Sequence, residues 1–229
     1  MTRAASAVLT GMSALVLLVG AAACTRSAGA AGRATAASST SVTAHGPDSV
    51  SAKLDQSRIL GDSTAPVWFI MISDFQCPYC KQFHDESFAA LRKDYVATGK
   101  VRMAYINFPL PIHQNAWPAA EAAMCAGAQG KFWPMHDVLF SSQDAWEDQH
   151  PAAHAIDSLA ASIGVDTMAL DRCVSQHASK ALIDADADRA ERAGARSTPT
   201  VIIGKQILVG VQPLANYRRS IDSALAKSK

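Results

Sequence analysis

One stretch constrains this chain more than any other. From Ala65 to Phe75 the sequence reads "APVWFIMISDF", a nearly continuous apolar run rich in Val, Ile and Phe. Such a run reads as a strand buried on both faces, as in a central parallel sheet. Cys77-Pro78-Tyr79-Cys80 follows at once. The next stretch, "KQFHDESFAALRKDYVATGK", has helical spacing that puts Phe83, Phe88 and Leu91 on one stripe. "KVRMAYINFPL", from Lys100 to Leu110, reads as a second strand. The sum is a β-α-β unit with two cysteines at the start of its crossover helix.

From Ile112 to about Ala195 the pattern turns helical. Successive candidates are "NAWPAAEAAMCAGAQG", "KFWPMHDVLFSSQ", "HAIDSLAASIG", "TMALDRCVSQ" and "ASKALIDADADRAERAG", punctuated by Gly130, Gly164 and Gly194. "TPTVIIGKQILVG" then gives two short β-branched runs divided by Gly204-Lys205, a hairpin signal. "PLANYRRSIDSALAK" is an amphipathic terminal helix. The expected fold class is therefore α/β, ordered β-α-β, an all-helical insertion over about 112–195, then β-β-α.

The N-terminal part has a different character. Residues 4–23 carry no charge and contain "ALVLLVG" after the basic Arg3, the pattern of a secretory signal peptide over residues 1–23. "GAAAC" ends at Cys24 and resembles the lipobox of bacterial lipoproteins, with Ala21 where an aliphatic residue is preferred. That makes Cys24 a candidate lipidation site. Ordinary cleavage after Ala23 and an uncleaved anchor of about 20 residues are the rivals. Each reading exports the rest of the chain to a compartment where disulfides persist. Residues 24–55, dominated by Ala, Ser, Thr and Gly, read as a flexible tether whose coil dimension is ~30 Å. The folded domain is expected over 56–229. A net charge of +1 without a basic stripe argues against a nucleic-acid partner.

Placement gives the C-x-x-C its chemistry. The first turn of a helix offers unpaired backbone N–H groups and the positive end of the macrodipole. A thiolate there is stabilised, so its pKa falls. Pro78 suits the first helical turn, where its missing N–H costs little. Cys77 is expected as the exposed nucleophile and Cys80, one turn in, as the buried resolving sulfur. A zinc site would need two more ligands, and His84 supplies only one, so no metal is assigned.

At these residues the chain from about Arg58 to Ala226 resembles DsbA-like thiol–disulfide oxidoreductases of the thioredoxin fold. "FQCPYC" at the strand–helix junction, the helical insertion and "STPTVIIG" carry the likeness. The resemblance implies that Pro199 is a cis-proline facing the dithiol and that Thr198 touches the substrate backbone. It implies oxidation of thiols in unfolded exported proteins and reoxidation by a quinone-linked membrane oxidase, with no cofactor of the chain's own. A monomer held to the membrane by its lipid anchor is expected. A reductase or isomerase of the same fold, or a tethered binding module, are the alternatives. Two departures bear on potency. Met71 stands six before Cys77, where many relatives carry a buried acid, and Tyr79 replaces the His of strongly oxidising relatives. Asp74 reads as a strand-end residue, and no buried relay acid is assigned.

Cys125 and Cys173 both fall in the insertion and are expected to form a structural disulfide clamping two of its helices. Closing that loop contributes about 4 kcal/mol in the chain-entropy treatment. Two buried thiols is the alternative, since free cysteine packs well. "DADAD", from Asp184 to Asp188, lacks the Gly and Glu of a calcium loop, and Asp188 suits an i,i+4 pair with Arg192. His150 and His154 read as surface residues. "KFWPMHDVLF" reads as core packing, and His113, after the second strand, is a candidate neighbour of the dithiol.

Overall fold

A computed structural model describes residues 49–228. The expected signal segment, Cys24 and most of the tether lie outside the described residues. The tether's last part does not behave as read. Helix α1 (Ser49–Ser57) begins within it, and Leu54 is wholly buried against the core. One turn of "SAKLD" needs only that single apolar anchor, too little to register as a period. Gly127 makes the contact close, because a Cβ there would collide with the Ser57 side chain.

After α1 the chain forms a two-residue strand, β1 (Ile59–Leu60), then β2 (Val67–Ser73). Helix α2 (Pro78–Phe83) starts at the dithiol and runs on through a π-turn at His84–Phe88, helix α3 (Ala89–Leu91) and a second π-turn at Arg92–Val96. β3 (Val101–Asn107) closes the unit. The insertion follows: α4 (Ala116–Gly127), α5 (Phe132–Ser141), a 3₁₀ turn at Gln143–Ala145, α6 (Ala153–Ser162), α7 (Thr167–Ser175) and α8 (Lys180–Arg192). β4 (Thr200–Ile203), β5 (Gln206–Val209) and α9 (Leu214–Lys227) complete the chain.

The sheet order is β1-β3-β2-β4-β5. β2 and β3 run parallel, with Met71 opposite Tyr105, while β4 is antiparallel to β2 and β5 to β4. This is the thioredoxin-like fold with its helical insertion. β1, antiparallel to β3, was not foreseen, since two residues are too few for alternation to show. On one sheet face Val67, Phe69, Met71, Val101, Met103 and Tyr105 join the main core with Phe83, Tyr217 and the insertion's Phe132 and Phe140. On the other, Ile72 and Phe108 meet Ala190 and Ala195.

The "DADAD" segment is not uniformly surface. At 100° per residue, Asp184 and Asp188 share α8's outer face and Asp186 points the opposite way. Asp186 is fully buried, where it pairs with Arg58 and accepts a hydrogen bond from Asn107 Nδ2 at 3.0 Å. Asp188 and Arg192 stand exposed without the expected bridge; the structural ion pair of this segment is the one its alternation hid. Removing one partner of such a buried pair costs about 3–5 kcal/mol.

Candidate active site

β2 ends at Ser73, and the chain turns through Asp74, Phe75 and Gln76 to Cys77, which caps α2 in an extended conformation. Pro78 takes the first helical position. The Cys77 carbonyl accepts the first helical bonds from the N–H groups of Cys80 (3.0 Å) and Lys81 (3.1 Å). Both thiols are free. Cys80 is 1% exposed, as expected of a resolving sulfur. Cys77 is only 4% exposed, against the expectation of an open nucleophile. The Thr198–Pro199 loop covers it, and its Sγ lies 3.5 Å from the Thr198 carbonyl. Tyr79, 62% exposed, carries the open rim of the motif.

The Thr198–Pro199 peptide is cis and both residues are buried. Gly210 N–H bonds the Pro199 carbonyl at 2.8 Å and ties the loop to the end of β5. A cleft of about 690 Å³ runs beside the motif, lined by Tyr79, Gln82, Thr198, Gly210, Val211 and Pro213.

The two sulfurs are electrostatically unequal. Cys77 is lowered from 9.0 to about 6, first by a hydrogen bond from the Cys80 thiol, then, against the cost of burial, by the Thr198 side chain and the backbone N–H groups of Cys80 and Tyr79. Cys80 is pushed well above 9.0, chiefly by burial and then by the neighbouring Cys77. The helix start contributes as expected, but the partner thiol is the larger cause. At neutral pH the arrangement holds Cys77 as thiolate and Cys80 as thiol.

Polar groups brace this loop, some of them named from the sequence and others not. Asp74 is a strand-end residue, as expected, and also a buried acid, which was not. Its Oδ1 accepts Gln76 N–H at 2.8 Å, and its Oδ2 accepts Leu110 N–H at 2.9 Å and lies 2.7 Å from His113 Nδ1. Burial raises its pKa, opposed by His113 and the two N–H groups. His113 therefore does stand against the dithiol loop. From the insertion, Gln143 Nε2 donates to the carbonyls of Phe75 (2.7 Å) and Cys77 (3.3 Å). Gln76 bridges Asn115 N–H and the Glu147 carbonyl. Only His113 left a signal, its position just after a strand.

The second cysteine pair behaves differently. Cys125 on α4 and Cys173 on α7 are joined, with Cα atoms 5.8 Å apart across 48 residues. His150 and His154 are exposed, and Phe132, Trp133, Leu139 and Phe140 are core, as expected.

A family model described as Thioredoxin matches residues 53–223. The chain is 30% identical over 176 residues to the Na(+)/H(+) antiporter NhaA 3 of Salinispora tropica, covering 76% of this chain and 26% of that protein. It thus spans about a quarter of the length of the antiporter relatives it matches. It is 22% identical over 187 residues to Disulfide bond formation protein D of Bacillus subtilis, covering 80% of this chain and 84% of the relative. Among solved structures, Wolbachia pipientis alpha-DsbA1 superposes with a TM-score of 0.68 at 23% identity, over 75% of this chain and 92% of that one. No described helix is long and apolar enough to cross a membrane.

Proposed function

The chain belongs to the thioredoxin family, and from that premise we propose that it is an extracytoplasmic thiol–disulfide oxidoreductase that oxidises thiols of exported proteins. The observation that carries the reading is the unequal dithiol: a Cys77 lowered to about 6 at a helix start, a buried Cys80 held as thiol, and the Thr198–Pro199 loop over Cys77.

In the oxidised enzyme a substrate thiolate attacks Cys77 Sγ. The Cys77–Cys80 bond breaks, its electron pair goes to Cys80, and Cys80 takes up a proton. A mixed disulfide now joins substrate to Cys77. A second substrate thiolate attacks the substrate sulfur of that bond, and Cys77 leaves as the stabilised thiolate. The substrate has lost two electrons and gained a disulfide; the enzyme dithiol has gained both electrons. A low leaving-group pKa speeds the second step. Thr198 and Pro199, beside the cleft, are the residues to align an extended substrate against Cys77.

The N-terminal signal pattern supports export, and the "GAAAC" motif supports a lipid anchor at Cys24. A quinone-linked membrane oxidase is the fitting partner for reoxidation, because each turnover leaves a dithiol that must lose two electrons. The oxidised protein is expected to restore disulfides to a reduced, unfolded test protein, and Cys77→Ser to abolish this. Equal rates for the two sink the proposal. A reductase remains the second reading, favoured by Tyr79, which brings no positive charge to the motif.

A further inference from the structure

His84 is four residues after Cys80, yet it turns away from the dithiol. The π-turn at His84–Phe88 brings it against α5, where His136 and Asp137 stand side by side. π-Turns inside helices are rare and gather at functional positions. We propose that His84, His136 and Asp137 form a binding site for a zinc-class divalent cation, separate from the disulfide chemistry.

The donor geometry fits such an ion. His136 Nδ1 lies 2.8 Å and His84 Nε2 3.5 Å from Asp137 Oδ1, and one ligand atom from each of the three residues falls within 4.8 Å of the others. Ligands at zinc–nitrogen and zinc–oxygen bond lengths, placed at tetrahedral corners, sit about 3.3 Å apart. Small side-chain shifts therefore bring all three donors onto one ion. Two imidazoles and a carboxylate are the donor set that zinc-class ions take, and three protein ligands leave a fourth position open.

The surroundings supply what such a site needs. His84 Nδ1 is 2.9 Å from Asp85 Oδ1, so a carboxylate orients the ring and leaves Nε2 to face Asp137. Lys81 Nζ in turn holds Asp85 Oδ2 at 2.7 Å. Outer carboxylates of this kind fix histidine ligands in metal sites. His136 is locked by the rings of Phe75, Phe88, Trp133 and Phe140. A cavity of about 900 Å³ opens onto His84 and Asp137 and gives an ion its way in. One group opposes the ion: Arg92 Nη1, 3.3 Å from Asp137 Oδ2. Its side chain is partly exposed and can swing into solvent. Among the described residues no other group of three or more His, Cys, Asp or Glu side chains converges in this way. Sequence spacing hid the site, since His84 and His136 lie on different helices and His84 was weighed only beside the cysteines.

Cobalt(II) titration of the oxidised protein, whose closed Cys77–Cys80 bond removes the sulfur ligands, tests the proposal. One equivalent is expected to bind at micromolar concentration, with visible bands of four-coordinate nitrogen–oxygen ligation and no sulfur charge transfer. Asp137→Asn and His84→Gln are each expected to weaken binding about 100-fold, and Asp85→Asn, which loses only the outer carboxylate, about 10-fold. Excess zinc is expected to raise the melting temperature of the parent and not of Asp137→Asn. Absence of saturable binding in the parent overturns the site, whatever the variants do. Equal affinity in parent, Asp137→Asn and His84→Gln overturns it too. Neither readout depends on oxidase activity, so failure of the disulfide proposal leaves this one standing.

Discussion

The molecule holds two cysteine pairs in opposite settings. Cys77 and Cys80 share one helix start, one sulfur at the first turn and the other beneath it. Cys125 and Cys173 lie inside two different helices of the insertion, and 48 residues separate them. In the first pair, backbone N–H groups and the partner thiol stabilise charge on one sulfur while burial forbids it on the other. That inequality lets the bond open and close. The second pair meets no helix start and stays a clamp. Reactivity follows from the partner thiol first and the helix start second, and spacing alone does not decide it.

The contrast can be broken or sharpened at several places. The largest effect is expected from Cys80→Ala, which removes the resolving sulfur and leaves Cys77 free. Mass spectrometry should find mixed disulfides accumulating on Cys77, with turnover lost. A variant that still turns over with no trapped adduct would remove Cys80 from the exchange. Next, the double variant Cys125→Ala/Cys173→Ala should lose about 4 kcal/mol in denaturant unfolding. Below its melting range the folded protein should keep the parent's thiol titration. A shifted Cys77 titration would show that the clamp also tunes the active pair.

A smaller loss is expected at the seam between the two regions. Gln143→Ala strips the Phe75 and Cys77 carbonyls of their buried donor, at a cost of about 1–3 kcal/mol. Unfolding measurements and the rate of Cys77 alkylation together check this. Unchanged stability would mean that the insertion does not brace the loop.

The pH dependence has a defined sign. A thiol lowered in the folded state contributes stability above its unfolded pKa and loses it as pH falls through the folded value. The reduced protein should therefore gain stability relative to the oxidised one as pH rises from about 6 toward 9. Thiolate absorbance of the reduced protein should titrate with a midpoint near pH 6, and Cys77→Ser should erase that step. A midpoint near the ordinary cysteine range would break the electrostatic contrast between the pairs.

Much of this was legible in the sequence because it rests on local pattern. The buried run before Cys77, the stripe of Phe83, Phe88 and Leu91, and the turn at Gly204-Lys205 each leave a periodic or compositional trace. The groups that finish the site leave none. Gln143 reaches Phe75 across 68 residues through one hydrogen bond. Asp74 was read only as a strand-end residue, but the chain leaves the strand at Ser73 and the turn that follows buries it, which no periodic pattern records. Asp186 was hidden by its own regular spacing, and α1 by having one buried anchor. Cys77 was expected to be the exposed sulfur of the pair; a loop more than a hundred residues later covers it.

The reduction potential tests the central claim most directly. A Cys77 pKa near 6 lies between the values of about 7 and about 3.5 known for a reducing and a strongly oxidising member of this fold. Equilibration with glutathione should therefore give a potential clearly less negative than the value of about −270 mV of the reducing member. A value near −270 mV would make Cys77–Cys80 a reducing pair and contradict the oxidase reading.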